Sequence, residues 1–176
     1  MARAFWGKTG KGALEHEGVS RNRIIQCATL SKAFGVYGGV VLVSHSLRKK
    51  IVTGSRSFIG TTPLPPPLAG AALASLKILL NKPARRKRLF DNLSLVRTKL
   101  RAAGWEITET PGPIVRLPTM SEAKVNDLKK RLLAAGIYPP FLKYSAASAQ
   151  GIFRFVISSE HTRKQLDKLI NTLGPC

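Results

Sequence analysis

The spacing of apolar residues changes along this chain, and the changes mark out its elements. Up to residue 44 they come in short, partly β-branched runs. Arg23 to Thr29 and Gly39 to Ser44, each bounded by glycines and polar residues, predict two buried strands. The small-residue stretch from Leu30 to Gly38 joins them. Prolines at 63, 65, 66 and 67 then turn the chain; Leu68 to Leu80 reads as a small-residue helix, and Pro83 is placed to open the next one. In that helix Leu89, Leu93, Val96 and Leu100 recur at helical spacing, with Gly104 as its C-terminal cap. Strands are predicted at Trp105 to Thr108 and Ile114 to Leu117. A helix follows from Ser121, with Met120 and Val125 as a hydrophobic staple; Val125, Leu128 and Leu132 face inward, and it ends by Gly136. Phe153 to Ile157 predicts a strand. The last helix opens on the capping-box spacing Thr162-x-x-Gln165 and buries Leu166, Leu169, Ile170 and Leu173.

From about Lys82 onward helix and strand alternate, which predicts a compact α/β domain over residues 82–176, whereas residues 1–81 read as part of something larger. The 176 residues are 44% hydrophobic, enough for a packed core. The charge is unusual: 29 Lys and Arg against 9 Asp and Glu give +20. Basic groups cluster at Arg48-Lys49-Lys50, at 85–88 and at 129–131, but no finger, recognition helix or aromatic stacking motif accompanies them. Specific nucleic-acid binding is therefore not expected, and the clusters read as solvated helix faces. Cys27 and Cys176 are too few for a disulfide framework, and His16, His45 and His161 lack metal-ligand spacing, so both thiols are expected reduced and no metal is expected. With no membrane-spanning run and no signal-peptide pattern, the expectation is a cytoplasmic protein.

Chemistry concentrates at one lysine. Thr29-Leu-Ser-Lys32-Ala-Phe-Gly-Val-Tyr-Gly38-Gly39 follows a predicted strand and surrounds Lys32 with small and apolar residues, a setting expected to desolvate the amine in part and suit it to Schiff-base formation. This stretch resembles the cofactor-lysine segment of the alpha-oxoamine synthases, a family of pyridoxal-phosphate (PLP) enzymes in the class II aminotransferase superfamily. Three further blocks carry the resemblance in the family's order and spacing. Gly7-Lys-Thr-Gly10-Lys-Gly12 with Glu15-His16 resembles the family's glycine-rich stretch, with Lys11 where arginine is usual. Phe58-Ile-Gly-Thr61-Thr62-Pro-Leu64-Pro65-Pro66 resembles the segment leading to a Pro-Pro pair, and Arg154-Phe-Val-Ile-Ser-Ser-Glu-His161-Thr162 the closing strand and helix start.

The resemblance implies an α/β chain of the fold type I PLP-dependent transferase class: residues 1–81 as the C-terminal part of the cofactor-binding large domain, 82–176 as the small domain. It implies that Lys32 holds pyridoxal 5'-phosphate as a Schiff base and moves protons, and that Thr29 bonds the cofactor near it. It further implies that Thr61 and Thr62 reach the phosphate held by the other subunit of a homodimer, and that Arg154 grips the amino-acid carboxylate, with Ile152 in place of the family strand's first arginine. The substrates implied are an amino acid and an acyl-CoA. The family's aspartate that bonds the pyridine nitrogen, its stacking ring and its upstream phosphate loop would all fall before Met1, which implies a C-terminal fragment, impaired alone, with an upstream polypeptide as a possible partner. Two other readings stay open: an aminotransferase or lyase of the same fold that uses no acyl-CoA, and an inactive basic fragment that binds polyanions through charge.

Overall fold

The computed structural model describes residues 7–110, 112–143 and 151–176. The chain divides into two compact units, Met1–Pro83 and Ala84–Cys176.

The first unit is built on a two-stranded antiparallel hairpin. β1 (Gln26–Thr29) pairs with β2 (Gly39–Leu42) in a register that sets Gln26 opposite Leu42 and Thr29 opposite Gly39. Both strands are shorter than the apolar runs that predict them. Before the hairpin come α1 (Ala13–His16) and a 3-10 turn at Arg21–Arg23; after it come α2 (His45–Gly54), α3 (Arg56–Ile59) and α4 (Pro66–Asn81). Hydrophobic patterning does not announce α2, because Arg48, Lys49 and Lys50 dominate its middle. Ser44 caps it by accepting from Leu47 N, and only Leu47 and Ile51, four apart, lie half-buried on one face. In α4 the small residues and prolines do form the expected helix, yet none of its sixteen residues is buried.

Among the described residues, only Leu30 and Val36 of this unit are buried hydrophobics, while Leu73, Leu76, Ile78, Leu79 and Leu80 of α4 are exposed. A unit of this length that folded on its own core would bury such a row.

The second unit has a core. Its helices α5 (Pro83–Ala102), α6 (Glu122–Ala134) and α7 (Arg163–Leu173) accompany a three-stranded antiparallel sheet in the order β3 (Ile114–Arg116), β5 (Ile152–Val156), β4 (Phe141–Leu142). Leu93, Val96 and Leu100 of α5, Val125, Leu128 and Leu132 of α6, and Leu166, Leu169 and Leu173 of α7 pack with Val115, Leu117, Phe153, Phe155 and Ile157 in one cluster. These are the inward positions that the helical spacing names. The capping box is present in full: Gln165 N donates to Thr162 Oγ1 at 3.3 Å, and Thr162 N donates to Gln165 Oε1 at 2.9 Å. Ser121 caps α6, with Met120 packed on the cluster and Val125 buried in it.

The strand expected at Trp105 to Thr108 is absent; the segment is irregular. Guanidiniums from α5 bond the Ile107 carbonyl of this segment and carbonyls of the residues that follow it. Arg101 donates to Ile107 O through Nε (3.1 Å) and Nη2 (2.9 Å), and the buried Arg97 donates to Thr110 O, Gly112 O and Ile114 O. Trp105 and Ile107 still bury their side chains, so the apolar alternation reports burial without a strand.

Candidate functional site

Lys32 sits in the connection between β1 and β2. The β1 end fixes this loop: Leu30 N donates to Gly38 O at 2.9 Å, Val36 N to Leu30 O at 3.1 Å, and Gly35 N to Lys32 O at 3.1 Å. Gly35 and Gly38 take φ of +62° and +122°, so the turn needs residues without a Cβ there. Buried Leu30 and Val36 anchor the loop, and Ser75 of α4 donates to Phe34 O at 2.8 Å across its far side. Lys32 itself is exposed, and its amine makes no hydrogen bond or ion pair with the described residues. The partial desolvation expected from its small and apolar neighbours is therefore not supplied by these residues, because Leu30 and Val36 turn inward and leave the lysine outside.

Thr29, half-buried at the end of β1, accepts from Ser31 N at 3.1 Å and lies 3.5 Å from Gly38 O, so its hydroxyl holds the start of the lysine loop. Thr61 and Thr62 follow α3 and are exposed. Thr61 donates its hydroxyl to Ser57 O, whereas the Thr62 hydroxyl has no hydrogen-bond partner among the described residues. The segment after them approaches the lysine loop: a Cβ on Gly38 would meet Leu64 Cδ1 at 3.1 Å. Arg154 lies in the other unit, half-buried on the central strand β5, where its backbone N–H donates to Pro140 O at 2.9 Å.

The glycine-rich stretch has a use that sequence reasoning did not assign. Gly7, Gly10 and Gly12 all have positive φ, of 84°, 86° and 96°, and the chain curls around one carboxylate. Glu15 accepts from Thr9 N (2.8 Å), Thr9 Oγ1 (2.6 Å) and Lys11 N (2.9 Å). These bonds, that from the Thr9 hydroxyl foremost, lower the carboxyl from 4.5 to about 2. The Gly-x-x-Gly spacing followed by an acidic residue was the available signal, since positive-φ glycines present successive N–H groups to an anion.

The described residues fit part of a PLP site. An accessible amine at the end of a fixed hairpin can meet an aldehyde, and a hydroxyl such as Thr62 can meet a phosphate oxygen. A carboxylate for the pyridine nitrogen is not at hand in residues 7–83: they contain no aspartate, and of their two glutamates Glu15 is already held by the glycine loop.

The pattern of the family described as aminotransferase class I and II matches residues 6–173. The chain belongs to that family. Among its members, 8-amino-7-oxononanoate synthase 1 of Bacillus velezensis is 31% identical over 168 residues, which are 95% of this chain and 43% of the relative. The putative 8-amino-7-oxononanoate synthase of Rippkaea orientalis is 34% identical over 168 residues, 96% of this chain and 43% of its own length. Among solved structures, serine palmitoyltransferase with PLP superposes with a TM-score of 0.86 at 27% identity, over 97% of this chain and 44% of that one. The 8-amino-7-oxononanoate synthase of Francisella tularensis gives 0.82 at 29% identity, over 98% and 51%. The fold is thus that of the fold type I transferases, as the sequence resemblance implies, and the chain spans less than half the length of the curated relatives it matches. Among the described residues no helix is long and apolar enough to cross a membrane.

Proposed function

We propose that this chain is the lysine-bearing portion of a PLP-dependent acyltransferase that joins an amino acid to an acyl group delivered by coenzyme A. The observation that carries the reading is Lys32, held on the β1–β2 connection with its amine exposed, in a chain that matches 8-amino-7-oxononanoate synthases over nearly all its length. When bound, PLP supplies an electron-withdrawing ring that stabilises negative charge at the α-carbon of the amino acid.

The chain's own residues contribute the rest. Lys32 would hold the cofactor through its amine, and that amine would take and return the proton at the α-carbon of the amino acid. Thr29 fixes the loop that carries it. Thr62 would hold the cofactor's phosphate in the other subunit of a homodimer through its hydroxyl; Thr61 would first have to give up its bond to Ser57 O to do the same. Arg154 binds the substrate carboxylate through two parallel charge-assisted hydrogen bonds. Residues 1–81 would then be the end of the large domain and 82–176 the small domain.

The test supplies PLP, an amino acid and an acyl-CoA to the chain, alone and together with the N-terminal portion of a relative. Free coenzyme A thiol released only when amino acid, acyl-CoA and both polypeptides are present supports the reading. Conversion of the amino acid to its keto acid without acyl-CoA would instead make the protein an aminotransferase.

A further inference from the structure

Ser75 of α4 reaches the lysine loop through a single peptide group. Leu68, Ala72 and Ser75, at i, i+4 and i+7, are the half-buried residues of α4 and mark the face it turns into the first unit, while Leu73, Leu76 and Leu80 stay exposed. A serine inside a helix commonly bonds back to a carbonyl of its own helix. Ser75 bonds outward instead: its Oγ donates to Phe34 O, 41 residues away, at 2.8 Å. The N–H of the same peptide, on Gly35, donates to Lys32 O at 3.1 Å. The peptide is planar and trans, so the two bonds leave it in opposite directions and fix its rotation between them. Side-chain sterics do not fix it. Gly35 has φ of +62° and nothing within 4 Å of the place a Cβ would take, which leaves its side of the peptide free to turn. The hydroxyl on α4 therefore holds the donor that holds the Lys32 carbonyl, and two bonds in line strengthen each other. Lys32 is exposed, so its backbone is what places its amine.

We infer that Ser75 is a positioning residue for Lys32: its hydroxyl, acting through the Phe34–Gly35 peptide, sets the turn from which the lysine amine meets the cofactor. This rests on the reading of Lys32 as the cofactor lysine.

Two measurements on the full chain test it. Hydrogen exchange at the Gly35 amide reads the link without any cofactor: Ser75→Ala should speed it about threefold to tenfold, the worth of one hydrogen bond, and leave the Leu30 and Val36 amides unchanged. The chain is then titrated with PLP and reduced with borohydride, and labelling at Lys32 gives an apparent Kd. Ser75→Ala should raise that Kd by about the same factor. Ser75→Thr, which keeps the hydroxyl, should restore both values. Ala74→Gly loosens α4 from its exposed face and should leave both as they are in the wild-type chain. The inference is overturned if Ser75→Ala leaves Lys32 labelling unchanged, if Ser75→Thr behaves like Ser75→Ala, or if Ala74→Gly matches Ser75→Ala. A wild-type chain without saturable labelling at Lys32 fails at the earlier step: the cofactor-lysine reading falls, and the inference with it.

Discussion

Arg97 Nη2 donates to the Thr110 carbonyl at 2.7 Å, and the same nitrogen reaches Gly112 O at 3.1 Å and Ile114 O at 3.2 Å. One buried guanidinium thus satisfies the backbone of the segment that leads into β3. Removing it orphans carbonyls that cost about 1–3 kcal/mol each when left buried and unpaired. Arg97→Met should therefore destabilise the second unit by about 2–4 kcal/mol in urea unfolding, even though its aliphatic stem still packs. A change below about 0.5 kcal/mol would mean that water replaces the guanidinium freely.

The carboxylate of Glu15, lowered to about 2 chiefly by the Thr9 hydroxyl, gives the glycine loop a pH signature. Its folded value lies below its ordinary 4.5, so the stabilisation is complete above about 4.5 and is lost as pH falls toward about 2. The amide resonances of Thr9 and Lys11 should titrate with a midpoint near 2 and stop titrating there in Glu15→Gln. A midpoint near the ordinary 4.5 would show that the loop does not hold the carboxylate in solution. Gly7→Ala should disrupt the same loop, because φ is +84° and the new Cβ would collide with the Glu15 carboxylate.

The two units should differ in robustness. Phe153, fully buried between Phe141 and Phe155, centres the second unit's core, and Phe153→Ala should cost about 3–5 kcal/mol. Leu73→Ala on exposed α4 should change stability by less than about 0.5 kcal/mol in the chain as it stands. Hydrogen exchange should follow the same division, with β5 and α7 amides protected longest and the β1–β2 hairpin opening first. Equal protection across both units would contradict the picture of one complete and one incomplete core.

Sequence patterning was most legible where local rules act alone. Thr162 and Gln165 form the capping box their spacing announces, and the inward leucines of α5, α6 and α7 are the ones that helical spacing selects. It misled where a side chain from the preceding helix intervenes, as at Trp105 to Thr108, where Arg101 takes the Ile107 carbonyl that a strand would offer. It was silent on α2, whose helix rests on the Ser44 cap and two half-buried residues beneath a basic surface. At the candidate site the motif singled out Lys32, but an apolar neighbourhood in sequence does not say which way a side chain turns, and here Leu30 and Val36 turn inward while Lys32 does not.

That Lys32 is the cofactor lysine can be checked by reductive trapping. The chain is incubated with PLP and reduced with borohydride, and the label is mapped over its fifteen lysines. Saturable labelling at Lys32 is expected at low PLP concentration, with that component lost in Lys32→Ala and retained in Lys164→Gln. Labelling spread over the surface lysines, undiminished in Lys32→Ala, would contradict it.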